Sequence, residues 1–283
     1  MNRFSRRVCV LGLCLGAAFA VLAASPRRAL AEHDGKVQIL LLGDSTTIGS
    51  VCRMTDPKGP HLEDVVRLLL AADKSLPPTQ VINQGRDGEF VHGLLSGGRY
   101  DREIAKLPGV DFILIRYGLN DSGRRPHFDA EFPADFRALI GRLRKDFPRA
   151  AIVPMTIIPY LGREADARIN NLVRKVAAEE RLPLFDVYTR YEAELAHGRN
   201  MLNYRRYPLE RIPESQRDWV KPFVHGGSVV VMDNRLDAHF RNLPGWFGDR
   251  HPNLAGYHVI GDETAKFLAP RIREKTAPPP KTP

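Results

Sequence analysis

Four short polar segments of the sequence contain residue types that can carry out nucleophilic chemistry. They are GDSTT at 43–47, NQGRDG at 83–88, GLND at 118–121 and GDRHPN at 248–253. Nucleophilic catalysis requires a hydroxyl or thiol, a base that accepts its proton, and donors for the negative charge that develops on the substrate. The four segments between them contain hydroxyl, imidazole and amide side chains. Ser45 is therefore either a nucleophile, part of a phosphate-binding loop or a residue of a polar turn.

Apolar segments of strand length precede the first three polar segments and recur further along the chain. They lie at 36–42, 79–83, 110–117, 150–158 and 182–188. Between them, apolar residues three and four positions apart predict amphipathic helices. Strands that alternate with helices predict a parallel sheet, and sites in such sheets lie at the carboxyl ends of the strands. We therefore expect a flavodoxin-like three-layer α/β sandwich with a five-stranded parallel sheet, which gathers the polar segments at one edge.

The stretch from 200 to 248 interrupts this alternation. It is rich in proline and aromatic residues and contains the short apolar run SVVVM. We expect an insertion or lid before the last helix, within one domain that covers residues 32–272. Its aromatic residues either form a small core of their own or offer a stacking surface for sugar rings. The proline-rich segment 273–283 is predicted to be a disordered tail.

The first 31 residues have the features of a signal peptide. A basic start is followed by an uncharged stretch from 8 to 26 and by the small-residue sequence ALA at 29–31, typical of a cleavage site. We therefore predict export to the periplasm or the extracellular space, with no stable membrane insertion after cleavage. An uncleaved anchor helix is the alternative. The twin arginines at 6 and 7 lie in a poorly matching context, so the export route stays open.

The composition argues against several kinds of partner. The formal charge is +9, and removal of the five arginines of the leader lowers it to +4. No basic run with interleaved aromatic residues accompanies this mild excess, so nucleic acid is not an expected partner. Cys52 is the one cysteine outside the leader and is expected to be a buried thiol. No spacing of histidine, cysteine and acidic residues predicts a metal site, and we expect no cofactor.

The four polar segments, in this order, resemble the motifs of the SGNH (GDSL-type) hydrolase superfamily of esterases and lipases. The motifs are Gly43-Asp44-Ser45, Gly85 within NQGRDG, Gly118-Leu119-Asn120-Asp121 and His251-Pro252-Asn253. Each motif is weak alone, but the ordered set is specific and spans nearly the whole mature chain. The resemblance implies that Ser45 attacks an ester carbonyl with His251 as its base. It also implies an oxyanion hole formed by the backbone N–H groups of Ser45 and Gly85 and the side-chain amide of Asn120.

One position departs from the motifs of the superfamily. The orienting aspartate is expected three residues before the histidine, where this sequence has Gly248, and Asp249 stands two residues before it. A carboxylate is required to orient the imidazole of His251. We expect Asp249 to reach it, because Gly248 can adopt backbone angles closed to other residues. A Ser-His dyad, or a carboxylate from Asp233 or Asp237 in the insertion, are the alternatives.

Several residues near the motifs have both a structural and a functional interpretation. Asp44 is expected to cap the turn that carries Ser45 rather than to act in catalysis. Arg116, Arg124 and Trp219 are candidates for substrate binding, since arginine binds carboxylates and aromatic rings stack on sugars. Ion pairs in an arginine-rich protein and packing within the insertion explain the same residues equally well.

These observations favour an exported serine esterase that removes a small acyl group, such as acetate, from a carbohydrate or another small molecule through an acyl-enzyme. A lipase or lysophospholipase is the nearest alternative, although the loops around Ser45 are polar. From a different class, a flavodoxin-like module would bind a phosphate or flavin on the hydroxyls after the first strand. A non-catalytic relative would bind glycans without turnover.

Overall fold

The computed structural model of the protein describes residues 35–198, 202, 204–231 and 235–277. The predicted signal peptide, residues 1–31, lies outside these ranges. The central element is a parallel sheet of four strands in the order β2-β1-β3-β4. These strands are β1 Val37–Gly43, β2 Thr79–Asn83, β3 Phe112–Arg116 and β4 Ala151–Pro154. The prediction of an α/β fold with a parallel sheet is confirmed.

The sequence analysis predicted a fifth strand of this sheet at 182–188, and this prediction is wrong. The segment meets the edge of β4 through one parallel bridge, between Met155 and Phe185. Pro183 has no N–H to donate to a ladder. Asp186 then caps a helix that begins at the next residue. The chain therefore leaves the sheet after a single bridge, although its apolar residues have the pattern of a strand.

Helices cover both faces of the sheet. They are α1 Ser45–Ile48, α2 Ser50–Thr55, α3 Leu62–Ala72, α4 Val91–Ser96, α5 Leu119–Arg124, α6 Phe128–Asp146, α7 Arg163–Glu179, α8 Val187–His197, α9 Glu214–Val220, α10 Asp237–Phe240 and α11 Leu254–Thr276. A π-helical turn spans Tyr100–Ile104, and 3₁₀ turns span Leu209–Arg211 and Lys221–Phe223. None of the helices described here is long and apolar enough to cross a membrane.

Alternate residues of β1 pack into two different cores. Leu40 and Leu42 lie in the core on the face covered by α6 and α7, and Ile39 and Leu41 lie in the core on the face covered by α3 and α11. This alternation is the two-residue repeat of an extended chain. Cys52 lies in the second of these cores, as predicted, and burial raises the pKa of its thiol to about 12.

The last helix is longer than the sequence suggested. The predicted disordered tail begins at residue 273, but α11 continues to Thr276, so this prediction is wrong for residues 273–276. Leu268 and Ile272 are fully buried on the last turns and hold the end of the helix against the sheet. The final six residues lie outside the described ranges.

A second sheet lies in the segment predicted as an insertion. Its antiparallel strands, in the order β5-β7-β6, are β5 Arg205–Pro208, β6 Val224–His225 and β7 Ser228–Val231. Gly226 and Gly227 join β6 to β7 with φ of 55° and 76°, the left-handed angles that a tight hairpin turn requires. The buried rings of Phe240 and Trp246 pack under this sheet. We call residues 204–231 and 235–248 the second-sheet region.

The close contact between α3 and α11 depends on Gly261. A Cβ at this position would lie 2.5 Å from Val65 Cγ1 and 2.9 Å from Val65 Cβ. Overpacking a core costs about 1–3 kcal/mol, more than the roughly 1 kcal/mol of helix propensity that alanine gains over glycine. We expect Gly261→Ala to lower the free energy of unfolding in urea by about 1 kcal/mol.

The matched control for this prediction is Gly141 in α6. A Cβ there has no atom within 4 Å. Gly141→Ala should therefore raise the free energy of unfolding by about 0.5–1 kcal/mol through helix propensity alone. Changes of the same sign in the two variants would show that packing at Gly261 does not control the stability of this helix pair.

Candidate active site

Ser45 lies in the tight turn between β1 and α1. Asp44 caps this helix, because its Oδ1 accepts hydrogen bonds from Thr46 N at 2.9 Å and Thr46 Oγ1 at 2.7 Å. The predicted capping role of Asp44 is confirmed. A Cβ on Gly43 would lie 2.2 Å from Thr47 Oγ1, so only glycine lets the helix start this close to the strand. The turn fixes Ser45 at the carboxyl edge of the sheet.

His251 contacts Ser45 and two further side chains. Its Nε2 lies 2.8 Å from Ser45 Oγ, and its Nδ1 lies 2.7 Å from Asp249 Oδ1 and 2.9 Å from Tyr160 OH. The carboxylate can only accept, so Nδ1 carries the proton, and Nε2 has the lone pair that can take a proton from Ser45. A hydroxyl, an imidazole and a carboxylate therefore stand in hydrogen-bond contact in the order that activates a serine.

The backbone explains how a carboxylate two residues before His251 reaches its ring. Asn253 N donates to Leu202 O at 3.0 Å, and Tyr204 N donates to His251 O at 3.2 Å. These steps of two residues, in opposite directions on the two segments, are the register of an antiparallel pair. Asp249 lies just before this pair, and its Oδ1 accepts from His251 N at 3.1 Å as well as from His251 Nδ1. A bond from an aspartate oxygen to the amide two residues later is that of an Asx-turn, and this turn brings the carboxylate beside the imidazole.

We expected the backbone freedom of Gly248 to let Asp249 reach His251, and this explanation is wrong. Gly248 is not among the glycines with a positive φ, so its special backbone freedom is not used. Asp237, one of the alternative acids, accepts a hydrogen bond of 2.5 Å from Trp246 Nε1 in the core of the second-sheet region. That bond engages its carboxylate elsewhere. Asp233, the other alternative, lies outside the described residues.

The surroundings of Asp249 keep it ionised. Burial raises the pKa of its carboxyl, but hydrogen bonds from His251 and Arg206 and the charge of His251 outweigh burial and hold the pKa below its ordinary value. Arg206, on β5, donates from Nε to Asp249 Oδ2. The sequence analysis missed Arg206, because its signal is only one arginine of an irregular segment far from every motif.

Two tyrosines fix the plane of the His251 ring. Tyr160 meets it edge-on with ring centroids 5.1 Å apart, and Tyr204 lies nearly parallel to it at 5.6 Å. Burial, with the nearby charge of Asp249, raises the pKa of both phenols, so both hydroxyls are neutral. Neither tyrosine belongs to a motif, and the sequence analysis missed the contact of both with the histidine.

Asn120 lies in the first turn of α5, at the edge of the same cleft. Its Nδ2 donates to Glu89 O at 3.0 Å. An amide carries two hydrogens, so this bond orients the group and leaves the second hydrogen for a ligand. The role of Asn120 as an oxyanion donor, which the resemblance implied, stays a prediction.

The structure corrects the role that the resemblance implied for Gly85, that of a second oxyanion donor. Its N–H donates to Asn83 Oδ1 at 3.0 Å, and a Cβ on it would lie 2.5 Å from Ile48 N. Gly85 therefore packs tightly against α1, and its amide is already occupied. Gly88, three residues later, lines the cleft with a φ of 68°. The two glycines are alike in sequence, and only the three-dimensional path of the loop separates them.

Ser45, Asn120 and His251 meet in a cleft of about 300 Å³. Its described lining consists of Ser45, Gly49, Ser50, Val51, Asp87, Gly88, Asn120, Tyr204, Arg206 and His251. Val51 is the one aliphatic side chain in this set. The cleft therefore presents hydroxyl, amide and charged groups rather than an apolar wall.

Arg116 does not bind substrate in this structure. Its side chain is 2% exposed and donates from Nη2 to Thr46 O and, at 3.3 Å, to Thr47 Oγ1. Burial lowers the pKa of the guanidinium, and the charge of Asp44 opposes that effect. Arg116 therefore supports the turn of α1 from inside the protein, and its prediction as a substrate-binding residue is wrong.

The other two candidates for substrate binding lie on the surface. The Arg124 guanidinium stands over the ring of Phe90 at 5.1 Å and beside Gly88 at the cleft. Trp219 is 45% exposed and packs edge-on against His239, with 4.5 Å between the ring centroids. Trp219 is not among the residues that line the cleft. Within the described ranges, no group of three or more histidine, cysteine and acidic side chains is placed to hold a metal ion.

The chain is similar to known proteins in both sequence and structure. Residues 41–259 match the model of the GDSL-like Lipase/Acylhydrolase family. A possible lipase from Chitinophaga pinensis has a similar structure, with a TM-score of 0.53 and 16% identity over 83% of this chain and 99% of that one. The acetylxylan esterase Axe2 from Geobacillus stearothermophilus has a TM-score of 0.51 and 19% identity over 85% of this chain and 94% of its own.

The likeness to these two structures shows a shared fold. No curated protein matches this sequence. The family match covers most of the chain. The four motifs that it spans are those on which the resemblance to SGNH hydrolases depended. The chain therefore belongs to the GDSL-like lipase/acylhydrolase family and is a carboxylic ester hydrolase of the SGNH type.

Proposed function

We propose that the protein is an exported serine esterase that removes small acyl groups, of the acetyl type, from a polar alcohol such as a carbohydrate. The observation that carries the proposal is the unbroken series of contacts from Ser45 Oγ through His251 to Asp249 at the floor of a polar cleft. The proposal of export depends on the leader at residues 1–31, with its basic start and apolar stretch.

The reaction proceeds in two halves. Ser45 Oγ attacks the ester carbonyl and gives its proton to His251 Nε2, while Asp249 stabilises the imidazolium that forms. Asn120 Nδ2 and the backbone N–H of Ser45 donate to the oxyanion. The carbon–oxygen bond to the alcohol then breaks, and the alcohol leaves with the proton from Nε2. Water, deprotonated by His251, cleaves the acyl-enzyme by the same path and releases the acid and Ser45.

The lining of the cleft favours a short acyl group and a polar alcohol. A long acyl chain would have to lie against Ser50 and Asp87, which it would desolvate without compensation. Sugar hydroxyls can exchange hydrogen bonds with these same groups. Axe2 is described as an acetylxylan esterase, but at 19% identity its likeness supports the fold alone. The carbohydrate part of the proposal therefore rests on the polarity of the cleft.

The alternative of a phosphate- or flavin-binding module has less support. It requires the hydroxyls of Thr46 and Thr47 to face a ligand, and both side chains are buried. Thr46 Oγ1 donates to Asp44, and Thr47 Oγ1 lies within reach of the Arg116 guanidinium. Both hydroxyls therefore serve the turn of α1.

The first prediction concerns the nucleophile. Ser45→Ala should lower kcat on an activated acetate ester by about 10⁶-fold, as loss of the nucleophile does in serine proteases, with unchanged thermal unfolding. A fluorophosphonate should label the native protein and not this variant. The control is Ser96→Ala, because Ser96 is exposed and its Oγ donates only to His92 O at 2.8 Å. Labelling and turnover that persist in Ser45→Ala would refute the proposed function.

The second prediction concerns the side-chain oxyanion donor. Asn120→Ala should lower kcat by about 10²- to 10³-fold with little change in KM, because an oxyanion donor acts on charge that exists only in the transition state. Asn171→Ala on α7, at an exposed position, is the control. A rise in KM at constant kcat would instead make Asn120 a residue that binds the ground state of the substrate.

The third prediction concerns the acyl group. Across p-nitrophenyl esters of increasing chain length, kcat/KM should be highest for acetate and fall by at least tenfold by octanoate, because the cleft offers Val51 as its one described aliphatic contact. Among acetylated sugars, release of acetate should depend on Ser45. An optimum at eight or more carbons would favour the lipase alternative over the acetylesterase.

A further inference from the structure

We propose that Arg206 of the second-sheet region is a positioning residue for Asp249, so that this region completes the active site. The inference rests on the proposed function, because it takes Ser45, His251 and Asp249 as the reacting groups. Arg206 contacts the carboxylate and not the ring of His251, and it therefore acts on the reaction through Asp249.

The two oxygens of the Asp249 carboxylate have different partners. Oδ1 accepts from His251 Nδ1 at 2.7 Å and from His251 N at 3.1 Å, and Oδ2 accepts from Arg206 Nε. A carboxylate held at one oxygen can rotate about its χ2 angle, which is a soft torsion. Held at both oxygens, it keeps the plane in which Oδ1 meets Nδ1. Arg206 therefore supplies the second point of attachment.

Backbone hydrogen bonds next to the two residues bring the segment of Arg206 alongside that of Asp249. Leu202 pairs with Asn253 and Tyr204 pairs with His251 through single hydrogen bonds. One further step of two residues on each segment brings Arg206 opposite Asp249. Facing side chains of an antiparallel pair are close enough for an ion pair. The side-chain contact between Arg206 and Asp249 continues the register of these two backbone hydrogen bonds.

Neighbouring arginines on β5 have different surroundings. Arg205 is 1% exposed, and its guanidinium stands over the ring of Phe247 at 4.4 Å, inside the second-sheet region. Arg206 is on the opposite face of the strand, lines the cleft, and stacks over Tyr204 at 5.6 Å. This alternation is that of any β-strand. Arg205 therefore packs in the small core of the second-sheet region, and Arg206 contacts the Asp249 carboxylate.

The position of Asp249 in the sequence explains why such a partner is needed. The resemblance to the superfamily places the acid three residues before the histidine, and this chain has glycine there. The acid at the next position reaches the imidazole while its Oδ1 also accepts from the His251 amide. Arg206 orients the same carboxylate through its other oxygen.

The charge of Arg206 also gives the inference a measurable consequence. Ionisable groups near the Asp249–His251 pair include Arg206, Asp44, Asp87, Tyr160 and Tyr204, with Arg250 between the two in sequence, Arg116 beside Asp44 and Arg124 beside Gly88. Arg206 is the cation that donates to the Asp249 carboxylate. Removing it makes protonation of the pair more favourable, so the pair takes up its proton at a higher pH. The acidic limb of the kcat/KM profile should therefore move upward by about 0.5–1 pH unit.

The test compares charge-removing and charge-keeping variants on an activated acetate ester across the pH range. Arg206→Gln should lower kcat by about 10- to 100-fold with KM within about threefold, because a small misplacement of catalytic groups costs this much. The acidic limb should shift upward as stated. Arg206→Lys should restore the position of the limb and part of kcat. Arg241→Gln, at an exposed position of the same region, is the matched control and should behave as the native protein.

A double-mutant cycle tests whether Arg206 acts through Asp249. Asp249→Asn alone should lower kcat by up to about 10⁴-fold, because an amide favours the wrong tautomer. Arg206→Gln added to Asp249→Asn should lower it little further, since the group that Arg206 positions is already lost. Thermal unfolding of every variant checks the fold. Should the Gln variant not fold, Arg206→Met, which keeps the apolar stem against Tyr204, takes its place.

Three results would overturn the inference. One is a rise in KM at constant kcat in Arg206→Gln, which would make Arg206 a substrate contact. The second is a pair of fully additive losses in the cycle, and the third is a pH profile that Arg206→Gln leaves unmoved. Failure of the proposed function is a separate outcome. It would appear as activity retained in Ser45→Ala, whereas loss in Ser45→Ala and Asp249→Asn with a native-like Arg206→Gln would reject only the role of Arg206.

Discussion

The hydrogen bond between Ser45 Oγ and His251 Nε2 joins residues 206 positions apart, and the rest of the structure serves to make it possible. One end depends on a glycine that lets α1 start against the end of β1. The other end depends on the segment before α11, which bonds to Leu202 and Tyr204. The start of α11 lies beside the turn of Ser45, because Tyr257 OH donates to Ser45 O at 3.4 Å and α11 packs along α3. The central sheet and this helix pair therefore set the distance on which catalysis depends.

Two buried charged side chains hold the turn that carries Ser45. Asp44 and Arg116 are both buried at the carboxyl end of the sheet, where burial raises the pKa of the acid and lowers that of the base. Each opposes the shift of the other, and both donate or accept hydrogen bonds within α1. Charged side chains that are buried need such partners, since an isolated charge is far costlier to bury. Asp44 and Arg116 thus stabilise the turn from the interior of the protein, and Ser45 on the same turn faces the cleft.

The sequence predicted the parts of the fold and site that depend on local patterns. Alternating strands and helices gave the α/β sheet, and short motifs identified Ser45, Asn120 and His251. A strand needs partners as well as a pattern, and the segment at 182–188 has the pattern but makes one bridge. Arg116 and Gly85 stand where ligand-binding residues usually stand, at strand ends. Whether such a side chain or amide faces the cleft or the interior depends on the path of the loop, which residue type does not encode.

The least predictable contacts with His251 and Asp249 come from outside the motifs. They are made by Tyr160, in a loop after β4, by Tyr204, the residue before β5, and by Arg206 on β5. Only tertiary pairing brings them to His251 and Asp249, so spacing along the chain cannot reveal them. Two of the three belong to the second-sheet region, whose own core is separate from the cores of the central sheet. A motif search finds the atoms that react, but the groups that hold them in place come from wherever the fold supplies a neighbouring strand.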